Sequence, residues 1–249
     1  KADFNNIQAA VDAASDGDEI LVMPGIYQSS GSEAVVDMRG KSLKLTGNSN
    51  AQNVIIDGSL VTPGILCTGG EIENFTIQNC YRTSGGGIFI ESGSPLITDC
   101  IIENNSANYG GGVMAQSGYP QFYNCTFNNN AATQRGGGVR GTSISVQFDN
   151  CVFSNNTAQR GGGVYLSQNF NSAKSVFTNC SFQNNTVSSL GGGVAINSAG
   201  TTTLFDTCSF ISNESTGLNG GQGSGGGMYN DSSSPSLVNC IFDSNIADS

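Results

Sequence analysis

Few side chains in this sequence can do chemistry, and the missing ones matter as much as those present. The 249 residues include nine Lys and Arg, nineteen Asp and Glu, eight Cys and no His. Without histidine the chain has no Ser-His-Asp triad, no Cys-His pair and no histidine-ligated zinc. Arginine is then the group to follow. Arg135 and Arg160 each directly precede a Gly-Gly-Gly run, and Arg140 lies just beyond the first of the two runs. If the runs occupy equivalent places in neighbouring units, two like charges stand side by side, which is unfavourable unless an anion or a carboxylate compensates. Tyr109 and Leu190 fall in the same column.

On the adjoining strand, the residue after each inward Ile, Val or Met points outward. That gives an exposed row of Phe89, Met114, Arg140, Tyr165, Ala195 and Tyr229, with Glu91, Gln116 and Thr142 two positions further on. An aromatic row flanked by arginines suits a groove for an anionic sugar chain. The plainer alternative, a solvated face with arginine paired to Glu91 or Asp149, ranks ahead of it. In a catalytic version, a base removes the proton beside a uronate carboxylate while cations neutralise the developing enolate. Arg140 or Arg160 would be the base, Arg135 the neutraliser and Tyr165 the donor to the leaving oxygen, with Ca2+ held by Glu91 or Asp149. Paired carboxylates for hydrolysis do not recur in adjacent units.

These residues are positioned by a repeat. Triple glycines begin at Gly85, Gly110, Gly136, Gly161, Gly191 and Gly225, and each is followed by Ile, Val or Met. A cysteine trails each run: Cys100, Cys125, Cys151, Cys180, Cys208 and Cys240. Phe-x-x-Asn then follows, from Phe127 to Asn130 through Phe242 to Asn245, with Ile102 to Asn105 as a variant. Each copy reads as two or three short strands between Gly and Asn turns. A unit of about 25 residues cannot bury its own apolar side, so copies must stack. A parallel β-helix of about 9–10 coils, spaced ~4.8 Å apart, is the economical solution. A β-propeller needs longer blades, of about 40 residues. In Cys-x-Phe both side chains point inward, and the terminal Asn suits a left-handed turn bonded to the Asn of the next coil.

Ile7, Ala10, Val11 and Ala14 have helical spacing, so residues 1–19 read as a capping helix over the first coil. Residues 20–84 supply irregular early coils and 85–249 the regular repeats of one continuous solenoid. The chain stops at Ser249, where another triple glycine is due, so further C-terminal coils or an anchor or capping domain are expected there.

Cys80, Cys100, Cys125, Cys151, Cys180, Cys208 and Cys240 read as a buried ladder of free thiols, because in-register side chains fit a disulfide dihedral poorly. Cys67 lies off that column. With no close Cys pair, no metal site is expected. The net charge of −10 argues against nucleic-acid and anionic-membrane binding. No apolar run approaches the ~18 residues of a membrane span, so no direct membrane insertion is expected. No signal peptide opens at Lys1, so the chain reads as a mature or trimmed segment.

The stretch from Asn6-Ile7-Gln8-Ala9-Ala10-Val11 through Met23-Pro24-Gly25-Ile26-Tyr27 resembles the opening of right-handed parallel β-helix proteins of the pectin-lyase-like superfamily. The unit running from Gly225-Gly226-Gly227-Met228 to Phe242-Asp243-Ser244-Asn245 resembles the polymorphic outer-membrane-protein-type repeats of bacterial surface proteins. Their third position is Ala where this chain has Gly. The resemblance implies an exported protein, extracellular or at the cell surface. The superfamily holds lyases, hydrolases, adhesins and scaffolds. Its lyases wall their grooves with long loops, whereas these coils leave short turns. The expectation is therefore a non-catalytic adhesin, stalk or carbohydrate-binding scaffold that meets a polysaccharide or a host or cell-surface ligand and has no obligate cofactor. A polysaccharide lyase or glycoside hydrolase acting on an acidic polysaccharide is the alternative.

Overall fold

The computed structural model describes residues 4–29, 34–167, 174–197, 202–217 and 223–248. One regular coil comprises four strands: Leu96–Thr98, Ile101–Glu103, Ser106–Tyr109 and Val113–Ala115. Among the described residues their counterparts stack into four parallel sheets of nine, nine, six and eight strands, here called the first to fourth sheets in coil order. The fold is an all-β parallel solenoid, and nine strands in the first two sheets meet the expected coil number. Four strands per coil exceed the two or three expected. The extra one, Ser106–Tyr109 and its equivalents, has a single inward residue such as Ala107 or Ala132, too little alternation to announce a strand.

Inward positions alternate because strand side chains alternate. In the second sheet Ile77, Ile102, Phe127, Phe153, Phe182 and Phe210 form one inward file, all fully buried. Phe127 and Phe153 stack at 4.7 Å with a 4° interplanar angle, as do Phe182 and Phe210. In-register coils impose this face-to-face offset, and removing one such ring costs about 3–5 kcal/mol.

The turn between the second and third sheets corrects the sequence reading in one respect. The left-handed residue is the one before the repeat asparagine: Asn104, Asn129, Asn155 and Asn184 have φ of 53–57°. The following Asn105, Asn130, Asn156 and Asn185 are buried and form the expected ladder. Asn130 donates through its backbone N–H and its Nδ2 to Asn156 Oδ1, at 3.0 and 3.1 Å, and through Nδ2 to Ile102 O at 2.9 Å. Its Oδ1 accepts from Asn105 N–H and Nδ2, both at 3.1 Å, so every polar group of the side-chain amide is used, which is what burial of an amide requires.

The helix α1, Ile7–Ala13, starts at Asn6, whose side chain accepts from Ala9 N–H at 2.7 Å. Its Ile7 and Val11 close the first coil's interior, packing against the Val36–Asp37 strand. Lys41 Nζ donates to Val11 O, Asp12 O and Ala14 O at 2.8–3.1 Å, satisfying carbonyls at the helix end. The first two sheets run without a break from Glu19–Val22 and Gly25–Tyr27 to Ser236–Val238 and Ile241–Asp243, so the irregular and the regular coils share them. Among the described residues, no helix is long and apolar enough to cross a membrane.

Candidate functional site: an arginine corner

The triple glycine makes the corner between the third and fourth sheets. Gly136 has φ +70°, and a Cβ there would sit 2.8 Å from Arg140 Cβ. A Cβ on Gly138 would lie 2.6 Å from Gly163 O of the next coil. The first glycine is needed for its conformation and the later ones for the close approach of coils. The corner is sharp enough to fold the residue before the glycines back over the outward face of the fourth sheet.

Two files therefore face one another. Tyr109, Arg135, Arg160 and Leu190 are in register along the third sheet. Phe89, Met114, Arg140, Tyr165, Ala195 and Tyr229 are in register along the fourth. The Arg140 guanidinium lies 4.2 Å from the Tyr109 ring centre, reaching back one coil, and Arg135 lies 5.2 Å from the Tyr165 ring, reaching forward one coil. These are cation–π contacts, each worth about 0.5–2 kcal/mol. Tyr109 Oη donates to Gln134 Oε1 at 2.6 Å.

This geometry corrects the expected exposed row. Met114, Tyr165 and Ala195 are only 4%, 2% and 2% exposed, because residues of the third file lie over the fourth. Phe89, Arg140 and Tyr229 are half-buried. Glu91 and Gln116 are exposed beside the files, and Thr142 is half-buried with its hydroxyl donating to Ala115 O at 3.4 Å. Tyr165 beneath Arg135 has no free access to a leaving group, which removes its proposed catalytic part. Asp149 stands in the first sheet, opposite Tyr123, so it shares no site with Glu91 or the arginines. Among the described residues, no three His, Cys, Asp or Glu side chains gather as a metal site.

The arginines are not paired with carboxylates either. Among the described residues, the ion pairs belong to Arg39 and Lys44 near α1. The expected pairing to Glu91 or Asp149 is absent. Arg140 Nε and Arg160 Nε are buried with no hydrogen-bond partner, and so is Arg82 Nη1. Burial, then the neighbouring Arg135 charge, lowers the Arg140 pKa from its ordinary value. Burial also lowers that of Arg82, against the opposing pull of Glu91 and Asp37.

Arg82 is a member that the repeat did not reveal. Its guanidinium lies 4.0 Å from the Phe89 ring, extending the corner one coil toward α1. It sits three residues before Gly85 rather than one, so alignment on the triple glycines passes over it. An arginine close ahead of any triple glycine was the available signal.

All eight cysteines are free. Cys80, Cys100, Cys125, Cys151, Cys180 and Cys208 are buried, whereas Cys240 is half-buried. Cys67 lies in the fourth sheet opposite Ile90. Cys100 Sγ donates to Thr98 O at 3.2 Å, and its equivalents repeat that contact. Burial pushes the Cys67, Cys80 and Cys100 thiols up to about 12.

Parallel coils, inward files and corner glycines define a β-solenoid with side chains displayed in register. A family model described as "Right handed beta helix region" matches residues 25–242, and the chain belongs to that family. Comparisons with curated proteins and with solved structures returned no match.

Proposed function

We propose that this protein is a non-catalytic β-helix scaffold, extracellular or at the cell surface, whose arginine corner binds an acidic polysaccharide. The carrying observation is the set of guanidinium groups at Arg82, Arg135, Arg140 and Arg160 that form no salt bridge among the described residues, three of them with a buried nitrogen left without a partner. A protein of net charge −10 has carboxylates in excess, yet none forms an ion pair here. Register stacks Arg135 on Arg160, and a ligand carboxylate or sulfate between them relieves the repulsion and accepts charge-assisted hydrogen bonds. The neighbouring rings hold the guanidinium planes in place, so less freedom is lost on binding. Whatever the source of the ligand, an adhesin or a stalk would present it the same long file of groups.

The test is titration with polygalacturonate, alginate and sulfated glycans, following both heat and the ultraviolet absorbance of unsaturated product. Binding without product is expected. Arg140→Ala should weaken it by about 10- to 100-fold, the loss of one charge-assisted contact of ~1.5–3 kcal/mol. Product that forms with the wild type and disappears with Arg140→Ala would establish the lyase instead.

A further inference from the structure

The link between the first and second sheets is short in the regular coils: only Asp99 and Cys100 separate Leu96–Thr98 from Ile101–Glu103. Its first residue is left-handed in coil after coil. Asn74, Asp99, Asn124, Asn150, Asn179 and Thr207 have φ of 52–64°, and the backbone N–H of each donates to the coil above, as Asp99 N–H does to Tyr123 O at 3.0 Å. Asn suits that conformation because its short polar side chain tolerates the left-handed region. Asp99 is the one carboxylate of this file. The turn does not require it, since Asn and Thr hold the same conformation in neighbouring coils.

The second coil departs from the short link. There the chain runs from Gly47 to Val54 and includes the 3-10 turn Ala51–Asn53. Asn53 N–H donates to Asn50 O at 3.1 Å and Asn53 Nδ2 to Ser49 Oγ at 2.9 Å, which fixes the shape of this turn. Ala51 is buried, and the turn packs against Val54–Asp57 and, one coil further on, against Thr76–Gln78. It therefore overhangs the file of left-handed residues. Between the two lies an open cleft of about 350 Å³, within the size range of small-ligand sites. Asn50 and Gln52 line it from the overhang, Asn74, Asp99 and Asn124 from three successive coils, and half-buried Ile101 gives it an apolar patch.

Side-chain hydrogen bonds along the file run one way and end at the cleft. Asn150 Nδ2 donates to Asn124 Oδ1 at 2.8 Å, and Asn124 Nδ2 donates to Asp99 Oδ1 at 3.0 Å. Among the described residues, Asp99 Oδ2 has neither a hydrogen-bond nor an ion-pair partner. No Lys or Arg lines the cleft. One exposed carboxylate oxygen thus faces a cleft with the amides of Asn50, Gln52 and Asn74 around it.

We infer that this cleft is a second saccharide site, for a neutral sugar unit. Adjacent ring hydroxyls donate to Asp99 Oδ2 and exchange hydrogen bonds with the amides, and the charge on the carboxylate strengthens the bonds it accepts. Ile101 meets the C–H face of the ring. Asn124 and Asp99 are oriented by the relay before binding, so less freedom is lost when the sugar arrives. An acidic sugar would meet the Asp99 charge with no cation beside it, so the cleft selects against the ligand of the arginine corner. The two sites do not compete: the cleft lies between the first and second sheets, the arginines between the third and fourth.

The test is titration of the 15N-labelled protein with neutral trisaccharides of glucose, mannose, galactose and xylose, to tens of millimolar. The side-chain amide signals of Gln52, Asn74 and Asn124 should shift with at least one of them. Asp99→Asn keeps a residue that suits the turn and an oxygen to accept from Asn124, and it should weaken that binding about tenfold or more by removing the charge. Gln52→Ala, on the exposed overhang, should weaken it less. Signals unmoved by all four sugars overturn the inference, and so does binding that Asp99→Asn leaves intact. Signals that move with calcium chloride but with none of the sugars would identify an oxygen-ligated cation site instead.

Discussion

The buried thiols make the stability of this fold sensitive to alkali, and the size of the effect follows from their burial. Cys67, Cys80 and Cys100 are 4%, 0% and 1% exposed, and burial raises each from the ordinary thiol range to about 12. In the unfolded chain they titrate near ~8.5. The native state therefore binds more protons than the unfolded one between those values. The stability linked to this protonation is complete below about pH 8.5 and is lost progressively as pH rises toward about 12. At pH 10 each thiol costs roughly 2 kcal/mol relative to pH 7, and the three together roughly 6 kcal/mol. That is a large part of the ~5–15 kcal/mol that holds a typical domain folded. Cys151 and Cys180 are shifted in the same direction and add to the loss. Urea unfolding followed by far-ultraviolet circular dichroism, under argon with a phosphine reductant, measures it at pH 7, 8, 9 and 10. Cys100→Val, which keeps an apolar side chain without a titrating proton, should make the decline from pH 7 to pH 10 shallower by roughly 2 kcal/mol. Stability that stays level to pH 10, or a decline unchanged by Cys100→Val, would refute the reasoning.

Two further substitutions probe the devices that set the coils in register. Asn156→Ala removes the acceptor of Asn130 N–H and Nδ2 and the donor to Phe127 O and Asn185 Oδ1, so chemical denaturation should show a loss of about 3 kcal/mol or more. Gly137→Ala places a Cβ 2.5 Å from Gly162 O and Thr157 O, so coils must separate, and a loss above ~3 kcal/mol is expected. Gly17→Ala, at φ +85° with open space around it, should cost only about 1–2 kcal/mol in the same assay.

Much of this architecture is legible in the residues because each repeat marker answers a local constraint. Gly136 must turn with positive φ, Cys125 and Phe127 must both face inward, and Asn130 must satisfy buried backbone groups of adjoining coils. The strand Ser106–Tyr109 is not legible, since its one inward side chain, Ala107, leaves no alternation to see. The file of Tyr109, Arg135 and Arg160 follows directly from the triple-glycine register. The burial of Met114 and Tyr165 does not. It depends on side chains crossing a corner, as Arg135 does to cover a ring one coil away. Alternation says that a residue leaves the core, but it says nothing of what folds over it afterwards.

The arginine corner is tested most directly by the Nε–H signals of its own side chains. In a proton–nitrogen correlation spectrum of the 15N-labelled protein, the Nε–H signals of Arg140 and Arg160 should show the largest shifts as an acidic oligosaccharide is added, because they report on the guanidinium groups it engages, which have no carboxylate partner among the described residues. Arg39, already engaged with Asp12 and Asp37, should stay in place. Unmoved Arg140 and Arg160 signals at a saturating concentration of galacturonate, guluronate and sulfated oligomers would contradict the account.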